Sequence, residues 1–354
     1  MKFPHGYRAG RSYYPAWVAG AALGLAAACG MIAPRACAQD AVMSAGTAAV
    51  NGAGTVLGGG YAGTGFSAAL GGGANPYNSV QINGGAFSMG TGGTINGAFT
   101  DGLGNSYALE TTGAGSATIG GGTVNYDIYA YDSSSNTLSG GTVNGNLNAK
   151  DSSLAAVAGG VLNGALFAYS GSTADITGGL LSGGNGLDGL YAYDSSTVNI
   201  FGGVLDGVDA YGGSTINISG GMVATDGVNA LDGSTVNVTG GSLAGLDALS
   251  GTINLAGGTV GGTLITQGGI LDVFGQFSGY PPGSTITSGS GSFTGTLLYG
   301  GLATFQYDAT QGGVIEFNAG LPPSPVPEAP TAAGLALGTL CLAVLALRAK
   351  RRTA

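Results

Sequence analysis

The feature that most constrains this fold is a recurring pair of glycines. Pairs stand at Gly121-Gly122, Gly140-Gly141, Gly159-Gly160, Gly178-Gly179, Gly202-Gly203, Gly220-Gly221, Gly240-Gly241 and Gly257-Gly258. Their successive spacings are 19, 19, 19, 24, 18, 20 and 17 residues. Between the pairs apolar and polar residues alternate, which is the period of a strand and not of a helix. A repeat of about 20 residues built from short strands predicts a β-solenoid.

Each repeat reads as three strands. A short one follows the glycines, as in Thr142-Val143-Asn144. An apolar-x-Ala-x strand comes next, as in Leu166-Phe167-Ala168-Tyr169. A turn such as Asp194-Ser195-Ser196 then leads into a third strand, as in Thr215-Ile216-Asn217-Ile218. Asp, Gly and Ser suit such corners because they tolerate tight backbone or bond it locally. Three strands and three bends make one triangular coil, and coils stack in parallel about 4.8 Å apart. Eight coils make a rod of roughly 40 Å. Alternation predicts Val, Ile, Leu and a column of Ala inward, with Thr, Asn, Asp and Tyr outward. The predicted fold is therefore all-β: a right-handed parallel β-helix, its hand taken by analogy with other parallel β-helices. The whole-repeat pattern resembles β-helical surface proteins and autotransporter passengers.

The repeats occupy residues 111–265. Residues 39–110 are rich in Gly, Ala and Ser and read as an irregular start and cap of the same solenoid, since solenoid ends need atypical units. Residues 266–319 break the period and carry longer strands, with Pro281-Pro282-Gly283 between them. They predict a small antiparallel β cap that shields the last coil's edge.

Both ends of the chain read as addresses. Lys2, Arg8 and Arg11 precede an apolar run and the small-x-small site Ala36-Cys37-Ala38. This pattern predicts a signal peptide over residues 1–38, cut after Ala38. At the other end, residues 320–330 form a proline-rich tether. An apolar segment over 331–347 follows, then a basic tail over 348–354. The segment is of about the length that crosses a bilayer as a helix. The basic tail belongs on the cytoplasmic side.

Val326-Pro327-Glu328, Pro330, the apolar span and Arg348, Lys350, Arg351 and Arg352 together resemble the PEP-CTERM sorting signal of Gram-negative bacteria. Ala329 stands between Glu328 and Pro330, where family members usually have the two adjacent. The resemblance implies a precursor held in the inner membrane by the C-terminal helix. It implies processing by an exosortase-type membrane peptidase and an association with exopolysaccharide and biofilm.

Composition excludes several functions. Of nine Lys and Arg residues, only Lys150 lies between the two signals, against 18 Asp and Glu. That region has a formal charge of −17. The single histidine, His5, and all three cysteines, Cys29, Cys37 and Cys341, lie in the signals. The exported region thus has no Ser-His or Cys-His nucleophilic pair. It has no His or Cys ligands for zinc. No nucleic acid partner is expected, because phosphate binding needs clustered Lys and Arg.

Three groups of residues remain as candidates. Tyr129, Tyr131, Phe167, Tyr169, Tyr191, Tyr193 and Tyr211 flank the Ala column and predict an aromatic stripe. Such a stripe either stacks on sugar faces or braces neighbouring coils. Lys150 interrupts it. Gly183-Gly184-Asn185-Gly186-Leu187-Asp188 matches a calcium nonapeptide once. It makes Asp188 a lone calcium candidate, where a hard cation needs six or more oxygens. Asp188, Asp194, Asp206 and Asp209 are the carboxylates an enzyme would use. Asparagine columns at 125, 144 and 163, and at 199, 217, 237 and 254, read as stacked structural ladders. The sequence thus points to a non-enzymatic, structural or adhesive protein at the cell surface or in the matrix, with no cofactor. A polysaccharide-active β-helix enzyme and a self-assembling surface layer stand as alternatives.

Overall fold

The computed structural model describes residues 106–320 apart from 185, together with strands and adjoining residues between 42 and 100. Ala36, Ala38 and the sorting motif, span and tail from Val326 to Arg352 lie outside the described residues. Among the described residues no helix is long and apolar enough to cross a membrane.

The chain winds into a parallel β-solenoid of about 9 coils of ~19 residues. Three files of strands run along it. Thr123–Val124, Thr142–Val143 and Val161–Leu162 pair in one file. Asp127–Ala130, Leu147–Ala149 and Leu166–Ala168 pair in the second. Ser135–Leu138, Leu154–Val157 and Thr173–Ile176 pair in the third. Every residue type in the repeat therefore meets its counterpart one coil away, which is what makes side-chain ladders possible. In Val204–Ala210 and Met222–Leu231 the bend between the first two strands is straightened, and the register shifts between Leu205 and Gly207.

The glycine pair is the corner that sets the period. Gly241 has φ of +90°, a conformation glycine adopts without strain. A Cβ on Gly240 would lie 2.2 Å from the carbonyl oxygen of Ser219 in the coil before. One glycine thus answers to backbone conformation, and the other to the approach of the neighbouring coil. The opposite corner uses aspartate: Asp132, Asp194 and Asp232 have φ of 58°, 49° and 49°. Aspartate is among the few residues that enter this region at modest cost.

The core is narrow and mainly apolar. Leu162, Leu166, Ala168, Ile176, Val198 and Ile216 are fully buried, and so is the Ala column. Asn136 departs from the expected pattern. It shares the inward column of Ala117 and Ala155 and is buried. Its Nδ2 donates to the Tyr129 carbonyl at 3.0 Å, and its Oδ1 accepts from Thr111 Oγ1 at 2.7 Å, so both polar ends are satisfied.

Parallel strands begin at Val42–Met43, well before the clear repeats. Beyond the clear repeats, Leu302–Thr310 and Val314–Asn318 form a further coil on Thr263–Gln267 and Ile270–Phe277. The period is not lost there but interrupted by an excursion. Within it Thr285–Ile286 and Gly289–Leu297 run antiparallel against the strands of that coil. Phe277, Phe293, Phe305 and Phe317 fill the space beneath, and Tyr280 stacks on Phe317 at 4.5 Å.

Candidate functional site

The second file carries the aromatic residues outward in two adjacent rows. Tyr129, Asn148, Phe167, Tyr191 and Asp209 align in one. Tyr131, Lys150, Tyr169, Tyr193 and Tyr211 follow the Ala column in the other. The rings stack along the solenoid axis. Phe167 and Tyr191 are 5.0 Å apart and 12° from parallel. Tyr169 and Tyr193 are at 5.1 Å and 8°, and Tyr193 and Tyr211 at 5.0 Å and 9°. Neighbours within a coil lie side by side, as Tyr129 and Tyr131 do at 5.7 Å and 10°. Each such pair adds about 0.5–1.5 kcal/mol beyond its buried area.

This geometry changes what the stripe can offer. A sugar stacks on a free ring face, yet here the faces inside each row are turned to one another. Ring faces within the rows are therefore covered, and Tyr129 is only 8% exposed. Lys150 also proves to be a member of the array and not a gap in it. Its Nζ lies 5.0 Å from the Tyr129 ring, 5.5 Å from Tyr131 and 5.6 Å from Tyr169. A cation over several ring faces is attracted to each. The one ammonium of the region therefore stands where a ring is missing.

The carboxylates are brought together only in part. Asp194 is exposed at its corner, away from Asp188. Asp206 is half-buried, with its backbone against Gly189. Asp188, at the end of the 24-residue repeat, reaches over the following coils. Its carboxyl lies on Gly207, where a Cβ would come within 2.1 Å of Oδ1. There it meets Asp209 and Asp226. Asp226 was not among the expected carboxylates, since only the inserted loop puts Asp188 within its reach. Asp209 is 8% exposed and accepts from Tyr211 Oη at 2.9 Å and Asn229 Nδ2 at 2.8 Å. Among the described residues no group of three or more His, Cys, Asp or Glu is arranged to hold a metal ion. Asn185 of the calcium-like motif lies outside the described residues.

Burial, then the charges of Asp209 and Asp226, raise the Asp188 carboxyl to about 7. The folded state thus holds this proton more tightly than the unfolded chain. The sign follows directly: the contribution of Asp188 to stability is full below about pH 3.8 and is lost as pH rises through about 7. Burial pushes Asp247 and Asp272 in the same direction. We therefore expect a higher urea midpoint at about pH 5 than at about pH 8, with the difference shrinking in Asp188→Asn. A midpoint that rises with pH would contradict this.

Polar ladders run beside the aromatic rows. Asn199 donates to Asp175 at 2.9 Å, Asn217 to Asn199 at 2.9 Å, Asn237 to Asn217 at 2.9 Å and Asn254 to Asn237 at 2.8 Å. These side chains face outward, yet all four are buried, because the ladder encloses itself. Asn144 donates to Asn125 and Asn163 to Asn144, each at 2.7 Å, in an exposed ladder. A third ladder escaped the sequence reading. Ser153, Ser172, Ser214 and Ser234 are buried at the aspartate corner. Each donates to the carbonyl of an Ala in the coil before, at 3.0–3.2 Å. The serine that closes each three-residue corner, as in Asp151-Ser152-Ser153 and Gly212-Gly213-Ser214, was the available signal.

Comparison with protein-family models, curated proteins and solved structures finds no match to this chain.

Proposed function

We propose that this chain is an exported, non-enzymatic surface or extracellular-matrix protein of a Gram-negative bacterium, with structural or adhesive work beside exopolysaccharide or in biofilm. On this reading an exosortase-type peptidase processes the C-terminal signal, and the hand of the solenoid is right-handed. The observation that carries the reading is that outward side chains pair with their counterparts along the axis. Asn, Ser, Tyr and Lys150 are used in holding coil to coil. That is the economy of a rod. A strong negative charge keeps such a rod soluble and apart from polyanions.

Adhesion, on this reading, uses the outer rim of hydroxyls and ring edges. The triple variant Tyr131→Phe, Tyr169→Phe, Tyr193→Phe keeps the rings and removes the rim. Its retention on exopolysaccharide is expected to fall by more than half while its circular dichroism is unchanged. Full retention would remove the adhesive half of the proposal.

One observation favours a second reading. Asp188 beside Asp209 is a pair of carboxyls in unequal surroundings, which is how acid and base roles are set apart. Reducing-sugar release from an acidic or neutral glycan, lost in Asp188→Asn, would establish that reading in place of the first.

A further inference from the structure

Tyr211 and Tyr193 combine a ring stack with a proton acceptor beside one phenol. Their rings are stacked at 5.0 Å, and Tyr211 Oη donates to the buried carboxylate of Asp209 at 2.9 Å. We propose that Tyr193 and Tyr211 form an oxidative cross-linking site, in which a peroxide-driven one-electron oxidant joins the two rings as dityrosine and ties neighbouring coils covalently.

The chemistry follows from the geometry. Burial, the Asp209 hydrogen bond and the Asp209 charge raise the Tyr211 phenol, and burial with the Tyr191 and Asp209 charges pushes Tyr193 up to about 12. Both are neutral phenols at physiological pH, so losing an electron means losing a proton as well. Tyr211 has the acceptor in place: the electron goes to the oxidant and the phenolic proton to Asp209 Oδ2. Tyr193 gives up its electron to the same oxidant and its proton to water. The two phenoxyl radicals, already in register, couple through the ring carbons next to their hydroxyls. One C–C bond forms and two C–H bonds break. The released protons restore both hydroxyls as the rings become aromatic again. Two electrons and two protons leave the pair, and one hydrogen peroxide becomes two waters. A haem-peroxidase type of oxidant supplies this step outside the cell.

The region has reason to use such a bond. Between residues 38 and 340 the chain has no cysteine, so no disulfide is available to it. The parallel register holds Tyr193 and Tyr211 one coil apart without any induced change. By contrast Tyr126 and Tyr299 are 44% and 54% exposed, and they would give links between molecules instead.

The test uses the full chain with hydrogen peroxide and a peroxidase, read by dityrosine fluorescence and by mass spectrometry of proteolytic fragments. The expected product in monomeric protein is a Tyr193–Tyr211 fragment pair lacking two hydrogens. Tyr193→Phe, which keeps the ring and the stack, should lower monomer dityrosine more than fivefold. Tyr129→Phe should leave it unchanged. Asp209→Asn should slow formation by more than half. The neighbouring coil already carries Asn229 at this position, so the fold accommodates the change. Circular dichroism checks that each variant is folded. Wild-type yield in Tyr193→Phe, links that map to Tyr126 or Tyr299 only, or an unchanged rate in Asp209→Asn would each overturn the proposal.

Discussion

Gly240→Val is expected to lower the unfolding free energy by about 4 kcal/mol or more, read as a fall in the urea midpoint. The reason is local and severe. The new Cβ would sit 2.2 Å from the Ser219 carbonyl oxygen and 2.9 Å from its carbon. Both are backbone atoms of the coil below, so no side chain can move aside. Relief requires the two coils to part, and each coil is stable only against its neighbours. Gly233→Ala is the control. Unlike Gly240 it has a positive φ, +73°, and nothing lies within 4 Å of its added Cβ. Only the conformational penalty of about 1–2 kcal/mol remains there. Equal effects at the two sites would mean that coil-to-coil approach does not set the glycine pairs.

Asn217→Ala should be the most damaging change in the polar ladders, at about 2–4 kcal/mol. It strips the donor from Asn199 Oδ1 and the acceptor from Asn237 Nδ2, and both are buried. Asn144→Ala breaks the exposed ladder, where water replaces the lost partner, and should cost about 0.5 kcal/mol. The same ladder offers a gain. Asn254 Oδ1 is buried with no donor, and the residue above it in register is Asp272. Asp272→Asn supplies that donor and removes a carboxylate that burial and Glu316 hold above its ordinary range. An increase of about 1 kcal/mol is expected. Denaturant titration of the three variants ranks them, and no increase in Asp272→Asn would show that the ladder end is satisfied in another way.

What was legible in the sequence was whatever the backbone dictates. Gly240 recurs because the coil before leaves no room for a Cβ, and Gly241 because its φ is positive. Asp132, Asp194 and Asp232 mark corners because aspartate tolerates them. Three strands per period, the Ala column and both Asn columns follow from the same register. Relations across coils were harder to read. Lys150 looked like a break in the aromatic stripe, because a sequence does not show that a cation can stand in for a ring. Tyr129 through Tyr211 were named correctly as a stripe, but face-to-face stacking is a property of neighbouring coils. Asn136 took an inward position against its polarity because Thr111 and the Tyr129 carbonyl satisfy it. Asp226 joined Asp188 only through the loop inserted into the 24-residue repeat. The further coil at 302–318 was obscured by the excursion that precedes it.

On the proposed function this solenoid is cargo for the outside of the cell. Fractionation of a chain tagged just after Gln39, in cells with and without the exosortase-type peptidase, tests it most directly. With the peptidase, the tag should appear at the surface or in the matrix on a product that lacks the tail from Arg348 to Ala354. Without it, the full-length chain should stay in the inner membrane. Full-length protein in the inner membrane under both conditions, or tag in the cytoplasm, would contradict the account.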